Sequence, residues 1–100
     1  IKIIFKRRSI MLEKKFVVTP EEGLHATPAV IFSKEAGKFQ CDLKLFKGDN
    51  RNKAYNPKKL LSVMTIGAAK GDVVTIIADG PDESESMKRI KGLFDNAFKL

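Results

Sequence analysis

One short segment, from Gly23 to Ala29, places a histidine where a helix is about to begin. Its sequence is GLHATPA, and Pro28 suits the start of a helix, because the N–H that proline lacks would have no partner there. The helix is therefore predicted to begin at about Ala26, with His25 at its entrance. The N–H groups of a first helical turn are free and the helix dipole is positive there, which favours an anion, phosphate above all. A neutral imidazole is a competent nucleophile near neutral pH, so the segment predicts a histidine that carries a phosphoryl group.

The groups predicted to hold the phosphoryl oxygens on His25 are the amides of Ala26 and Thr27 and the Thr27 hydroxyl. Gly23 allows an unusual backbone conformation just upstream. A second interpretation needs no chemistry: His25 would be an exposed side chain that serves as a poor helix cap. On the spacing alone, this second interpretation is favoured.

The counts of metal-binding and nucleophilic residues narrow the class of protein. The chain has 100 residues, with one histidine and one cysteine, Cys41, and this length is enough for one domain. A single cysteine excludes an internal disulfide and a cysteine-rich zinc site, and a single histidine excludes a histidine-cluster metal site. We expect no metal, no cofactor and a cytoplasmic location. A carrier, regulator or binding module is favoured over an enzyme.

The hydrophobic pattern predicts the elements that must position this segment. Alternating apolar and β-branched residues indicate strands at residues 14–19, 41–47, 53–56 and 72–78. Apolar residues spaced by three and four indicate helices at about 26–37, from 57 to Gly67 or Gly71, and at about 82–98. The order β-α-β-β-α-β-α predicts an α+β domain of two layers, with one face of the sheet packed on the helices.

The second predicted helix carries more apolar residues than one helix face can bury. Leu60, Leu61 and Met64 share it with Val63 and Ile66, and the i, i+3, i+4 geometry cannot turn all five inward. Either all of them are core, or part of the helix is an exposed docking surface. The predicted core consists of Phe16, Val18, Phe32, Leu43, Leu45, Val63, Ile66, Val74, Ile76, Ile90 and Phe94.

Taken as a whole, the sequence resembles the HPr family, the histidine-containing phosphocarriers of the bacterial phosphoenolpyruvate:sugar phosphotransferase system. The resemblance runs from about Glu13 to Leu100. GLHATPA is similar to the family's active-site loop, G-[IL]-H-x-R-P-A, and FSKEAGKF, SVMTIGAAKGDVVTIIADGPDES and the closing helix follow in the family's order. The resemblance implies an open-faced β-sandwich, in which three helices cover one face of a four-stranded antiparallel sheet.

The resemblance also implies a function and partners. His25 would accept a phosphoryl group from phospho-Enzyme I and pass it to sugar-specific IIA domains. The partner-binding positions would be Val30 and Lys34 on the first helix and Leu60, Leu61 and Met64 on the second. An exposed apolar patch rimmed by lysine suits transient recognition of acidic partners. The protein is expected to act as a monomer and to be a phosphocarrier rather than an enzyme.

Two positions depart from the family pattern. Thr27 stands where the family has an arginine, whose guanidinium offers charge and a rigid set of donors, so slower phosphotransfer is expected unless a nearby lysine supplies the charge. Lys59 stands at the position of the regulatory serine of Gram-positive members, so control by phosphorylation there is expected to be absent. Ser62 is a weak substitute for that serine. These departures leave open an alternative, a regulatory or adaptor protein of the same fold that is not phosphorylated.

The formal net charge of +7 could suggest nucleic-acid binding, but much of the excess lies at the N-terminus. Residues 1–10, IKIIFKRRSI, hold four basic residues and no acid. They are predicted to be either a translated leader before a start at Met11, since Lys6 to Met11 can be encoded with a ribosome-binding sequence ahead of ATG, or a genuine basic extension. Residues 11–100 are predicted to form the domain, with neither nucleic-acid binding nor membrane insertion.

Overall fold

The fold is α+β, with three strands and three helices that alternate along the chain. The computed structural model describes residues 11–99, so the predictions about residues 1–10 lie outside the described residues. In chain order the elements are β1 (Leu12–Val17), α1 (Ala26–Ala36), β2 (Asp42–Lys47), α2 (Leu60–Thr65), β3 (Val73–Asp79) and α3 (Glu83–Asp95). Each predicted helix is present, and so are the three longer predicted strands.

The three strands form an antiparallel sheet in the order β1-β3-β2. The central strand, β3, has the sequence VVTIIAD, whose β-branched residues fit a strand that pairs on both sides. Leu12 pairs with Ala78 on the β1 side, and Leu43 pairs with the same residue on the β2 side. This register sends Val74, Ile76 and Ala78 to the helical side of the sheet, where all three are buried.

The predicted four-stranded sheet is not confirmed in residues 11–99. The segment predicted as a strand at 53–56 reaches β2 only through an isolated bridge, in which Leu45 and Tyr55 exchange two N–H···O bonds of 2.8 Å. The pairing ends there because the Asn56 N–H donates to the Ser62 hydroxyl at 2.7 Å. Pro57 follows and has no N–H to extend the pairing.

The core lies between the sheet and the helices. Ten of the eleven residues predicted as core are buried, and Phe16 is partly buried. Four phenylalanine rings link β1, α1, α3 and the segment after α3, with centroid distances from 4.9 to 5.7 Å between Phe16, Phe32, Phe94 and Phe98. Such contacts stabilise beyond the buried area alone. They fix the position of α1, the helix that begins beside His25.

Two helices are shorter than predicted. α2 begins at Leu60, after a turn in which the side-chain oxygen of Asn56 accepts the N–H of Lys58 at 2.9 Å. α3 ends at Asp95 because Ala97 and Phe98 have φ values of 51° and 58°, which lie outside the range of a right-handed helix. Among the described helices, none has the length and apolar character that crossing a membrane requires.

Candidate functional site

His25 occupies the N-cap position of α1. Its backbone is extended, with φ −135° and ψ 168°, and its side chain makes no capping hydrogen bond. The residue is exposed, while its carbonyl oxygen accepts the N–H of Ala29 at 3.4 Å. The backbone of His25 therefore starts the helix, and the imidazole is left available for other chemistry.

The amides that follow His25 are also available. Within residues 11–99, neither Ala26 nor Thr27 donates its backbone N–H to any acceptor, and the next residue is Pro28. Both residues are exposed. Two free N–H groups at the positive end of a helix favour an anion close to the ring of His25. This is the arrangement that the GLHATPA segment predicts for the phosphoryl oxygens.

Ala26 adopts a strained conformation directly after His25. Its φ is 52°, in the left-handed region, which costs a residue with a β-carbon about 1–2 kcal/mol. The neighbouring residues hold it in place, since Leu24 and Ala29 are fully buried on either side. The backbone next to the imidazole is thus determined by packing rather than by the preference of Ala26 itself.

The loop before His25 is fixed to the segment after α2. The N–H of Leu24 donates to the carbonyl oxygen of Ala68 at 2.9 Å. Gly23, with φ 70°, lies so close to the same residue that a β-carbon there would be 2.3 Å from the Ala68 oxygen. A glycine is therefore required at this position for the approach of two backbones as well as for the left-handed conformation.

Thr27 borders a cleft of about 580 Å³. Glu21, Glu22 and Lys70 line the same cleft, together with Lys99 from the segment after α3. Lys70 donates to Glu21 at 2.6 Å, and this hydrogen bond lowers the pKa of the Glu21 carboxyl. Lys70 and Lys99 were not predicted as site residues, and no local pattern marks them, since only the tertiary fold brings them to the cleft that Thr27 lines.

The residues predicted to bind partners differ in exposure. Leu61 is 77% exposed, Val30 47% and Leu60 39%. Lys34 is exposed, and Met64 is partly buried. Val63 of α2 and Ile66, which directly follows the helix, are buried, so the apolar residues in and after α2 divide between core and surface. α1 packs against α2, which places the exposed apolar residues of both on neighbouring helices.

Lys59 and Ser62, the positions considered for regulation, have different environments. Lys59 is the N-cap of α2 and is exposed, and its side chain makes no capping hydrogen bond. Ser62 is only partly exposed, and its hydroxyl accepts the Asn56 N–H. Ser62 therefore has a structural role at the start of α2. No group of histidine, cysteine, aspartate and glutamate side chains suitable for a metal ion occurs within residues 11–99.

Comparison with known proteins relates this geometry to one family. Residues 12–96 match the family described as PTS HPr component phosphorylation site. The phosphocarrier protein HPr of Vibrio cholerae serotype O1 is 39% identical over 85 residues, which cover 85% of this chain and 96% of that protein. The crystal structure of HPr-C-His from Thermoanaerobacter tengcongensis superposes with a TM-score of 0.79 at 32% identity and covers 89% of this chain and 99% of its own. For a phosphocarrier protein HPr from Bacillus anthracis the TM-score is 0.77 at 28% identity, with 85% and 98% covered.

Proposed function

The chain belongs to the HPr family of phosphocarriers of the phosphotransferase system, and on that basis we propose that His25 accepts a phosphoryl group from phospho-Enzyme I and passes it to a IIA domain. A phosphocarrier of this kind is not an enzyme, because it is itself the substrate of one transfer and the phosphoryl donor of the next. The observation that carries the proposal is the exposed imidazole at the N-cap of α1, beside two free N–H groups.

On this chain, the bonds that form and break in the proposed transfer involve only His25. The lone pair of a ring nitrogen of His25 attacks phosphorus, and a P–N bond forms. The bond from phosphorus to the donor breaks, and its electron pair stays with the donor. The other ring nitrogen keeps its proton, so the step requires no further reactant. The N–H groups of Ala26 and Thr27 and the Thr27 hydroxyl hold the phosphoryl oxygens, and the reverse sequence of bonds delivers the group to the acceptor.

The proposed docking surface consists of Val30, Lys34, Leu60, Leu61 and Met64. Apolar side chains at its centre are available for desolvated contact, and a lysine at its edge provides attraction to acidic partners. Lys59, exposed at the N-cap of α2, places a basic side chain beside this surface instead of a hydroxyl that could be phosphorylated. We propose that regulation by phosphorylation at this position is absent. The proposed working unit is the domain formed by residues 11–100, in the cytoplasm.

A non-phosphorylated adaptor is the less supported function. The adaptor function is suggested by the departures from the family pattern at Thr27 and Lys59. Neither departure removes the proposed acceptor, because His25 is exposed and its imidazole makes no capping hydrogen bond. The family match over residues 12–96, which is defined by a phosphorylation site, also favours the carrier.

The two functions differ in one measurement. The chain is incubated with labelled phosphoenolpyruvate and Enzyme I, and acid-labile phosphate on the chain is quantified, followed by transfer of the label to a IIA domain. Stoichiometric, acid-labile label that moves to the IIA domain is expected. His25→Ala should abolish it while the circular dichroism spectrum stays unchanged, because an exposed side chain contributes little stability. Label that persists in this variant would refute His25 as the acceptor, and no label on the unaltered chain would favour the adaptor.

A further inference from the structure

The cleft beside Thr27 brings the beginning of α1 together with the segment that follows α3. Thr27 lies on its wall, and Ala97, Phe98 and Lys99 contribute from the far end of the chain. Thr27 can offer a phosphoryl group one neutral hydroxyl, whereas phosphoryl transfer is favoured by positive charge near the phosphoryl oxygens. A cation that lines this cleft together with Thr27 is therefore a candidate to supply the missing charge.

Phe98 holds the segment after α3 against the helix that begins beside His25. Its side chain is 3% exposed, and its ring centroid lies 5.6 Å from that of Phe32 and 4.9 Å from that of Phe94. The positive φ values of Ala97 and Phe98 turn the chain away from the helical path. The Phe98 N–H also donates to the carbonyl oxygen of Leu93 at 2.8 Å. Lys99 thus follows a buried anchor, and its position beside the cleft is determined by that anchor.

Two lysines line the cleft, Lys70 and Lys99. Of these two, Lys99 is the one that forms no ion pair within residues 11–99. Lys70 lines the same cleft, but its ammonium is paired with Glu21 at 2.6 Å. Lys34 lies eight residues beyond Ala26 on α1, which displaces its backbone by about 12 Å along the helix axis. The ammonium group of Lys99 makes no hydrogen bond or ion pair with any residue from 11 to 99.

We propose that Lys99 supplies the positive charge that stabilises the phosphoryl group at His25, in place of the charge that Thr27 lacks. The inference rests on the proposed function of His25 and adds a residue to it. Lys99 takes no part in the bonds that form and break. Its ammonium group attracts the phosphoryl oxygens across the mouth of the cleft, while the two free N–H groups at the start of α1 hold them from the other side.

Glu22 provides a test of whether the charge of a side chain in the cleft determines the transfer rate. Glu22 lines the same cleft, and within residues 11–99 its carboxylate forms no ion pair. A carboxylate there opposes a phosphoryl group by charge repulsion, as Lys99 favours it. Removal of the two charges should therefore change the transfer rate in opposite directions. A purely structural disturbance of the cleft would lower the rate in both cases.

The test measures the initial rate of phosphoryl transfer from phospho-Enzyme I to four variants of the full chain. We expect Lys99→Met to be about three- to tenfold slower, Lys99→Arg to be close to the unaltered chain, and Glu22→Gln to be about twofold faster. Lys88→Met, which removes an exposed lysine of α3 outside the cleft, is the control and should change little. The loss in Lys99→Met should diminish at high salt and in a Thr27→Arg background, where an arginine already provides the charge.

Labelling of the unaltered chain distinguishes an error in the role of Lys99 from an error in the proposed function. If the unaltered chain accepts no phosphoryl group, the proposed function is overturned, and the role of Lys99 with it. If the unaltered chain is labelled normally and Lys99→Met is labelled at the same rate, only the role of Lys99 is overturned. A slower rate in both Lys99→Met and Glu22→Gln would also overturn it, since that result identifies a structural effect.

Discussion

The carbonyl oxygen of Ala68 occupies the space that a side chain of residue 23 would need: a β-carbon on Gly23 would lie 2.3 Å from that oxygen. This contact joins the loop that carries His25 to the segment after α2, the helix of the proposed docking surface. His25 and the proposed docking surface are thus held in a fixed relation by backbone packing.

Gly23→Ala is expected to destabilise the fold and to displace His25. Alanine at φ 70° is strained, and its methyl group would also collide with backbone atoms, so we expect a loss of about 2–3 kcal/mol. Gly71→Ala is the matched control: its φ is 92°, but no atom lies within 4 Å of a β-carbon there, so it should lose only about 1–2 kcal/mol. Urea denaturation measures both losses. Equal losses would mean that the contact with Ala68 contributes nothing.

The local parts of the site could be predicted from the sequence, and the tertiary parts could not. Pro28 and the spacing of apolar residues located the start of α1, so the position of His25 at its entrance was predictable. The approach of Gly23 to Ala68 and the presence of Lys99 and Thr27 in one cleft depend on residues more than forty positions apart. No periodicity carries such information.

The same distinction applies to the fold. The strongest patterns, in β3 and the long helix α3, predicted elements whose observed ends differ by one to three residues. The segment at 53–56 shows the limit, because its pairing with β2 stops after one bridge. The Asn56 N–H is taken by the Ser62 hydroxyl, a competition between partners that an alternating pattern does not reveal.

Leu61→Glu is expected to weaken phosphoryl transfer more than it weakens folding. Leu61 is 77% exposed on α2, so a carboxylate there stays in water in the free protein but opposes a partner that docks on an apolar surface. The loss of a contact of this kind is about 1–3 kcal/mol, which would appear as a five- to hundredfold rise in KM for Enzyme I or the IIA domain.

Two further substitutions separate docking from other effects of a new carboxylate. Val17→Glu introduces a carboxylate at an exposed apolar residue on β1, where Val17 is 53% exposed, and should leave KM unchanged. Val63→Glu buries the carboxylate, because Val63 is fully buried, and should unfold the protein. If Leu61→Glu unfolds as Val63→Glu does, or if Val17→Glu raises KM equally, the docking surface is misplaced.

Asp82→Asn is expected to reduce stability at neutral pH and to have little effect in acid. The Asp82 carboxylate accepts the N–H groups of Gln40 and Cys41, both at 2.8 Å. The hydrogen bond from Gln40, followed by that from Cys41, lowers the pKa of Asp82 in the folded protein. The stabilisation by the Asp82 carboxylate is therefore complete above the ordinary aspartate pKa of about 3.9. It is lost as the pH falls through the lower pKa that Asp82 has in the folded protein.

The measurement for Asp82 is urea denaturation of the unaltered chain and the variant between pH 7 and pH 2. We expect a difference of about 1 kcal/mol at pH 7, since charge-assisted hydrogen bonds are replaced by a weaker neutral one at a partly exposed site. The difference should disappear towards pH 2. Asp42→Asn, at an exposed carboxylate that accepts no side-chain hydrogen bond within residues 11–99, should change stability little at pH 7. A constant difference across the range would contradict the assignment.

Thr27→Arg is expected to accelerate phosphoryl acceptance by His25. Thr27 is exposed at the start of α1, on the wall of the cleft that Lys99 also lines, so an arginine has room to turn its guanidinium towards the phosphoryl group. A neutral hydroxyl contributes about 0.5–1.5 kcal/mol through one hydrogen bond, and a charged donor contributes roughly 1.5–3 kcal/mol. The difference of about 1–2 kcal/mol corresponds to about a tenfold higher rate.

The rate of transfer from phospho-Enzyme I, measured by rapid quench at equal protein concentrations, tests this expectation for Thr27. Thr27→Val is the matched control, because it keeps the branched shape and removes only the hydroxyl, and it should slow acceptance by about two- to tenfold. If the transfer rate falls in the order Thr27→Arg, unaltered chain, Thr27→Val, the side chain at this position is a ligand of the phosphoryl oxygens. If Thr27→Arg is no faster while Lys99→Met is slower, the charge from Lys99 already satisfies those oxygens in the unaltered chain. If the rates of all three Thr27 chains coincide, the side chain of residue 27 does not reach the phosphoryl group, and its amide is the part that matters.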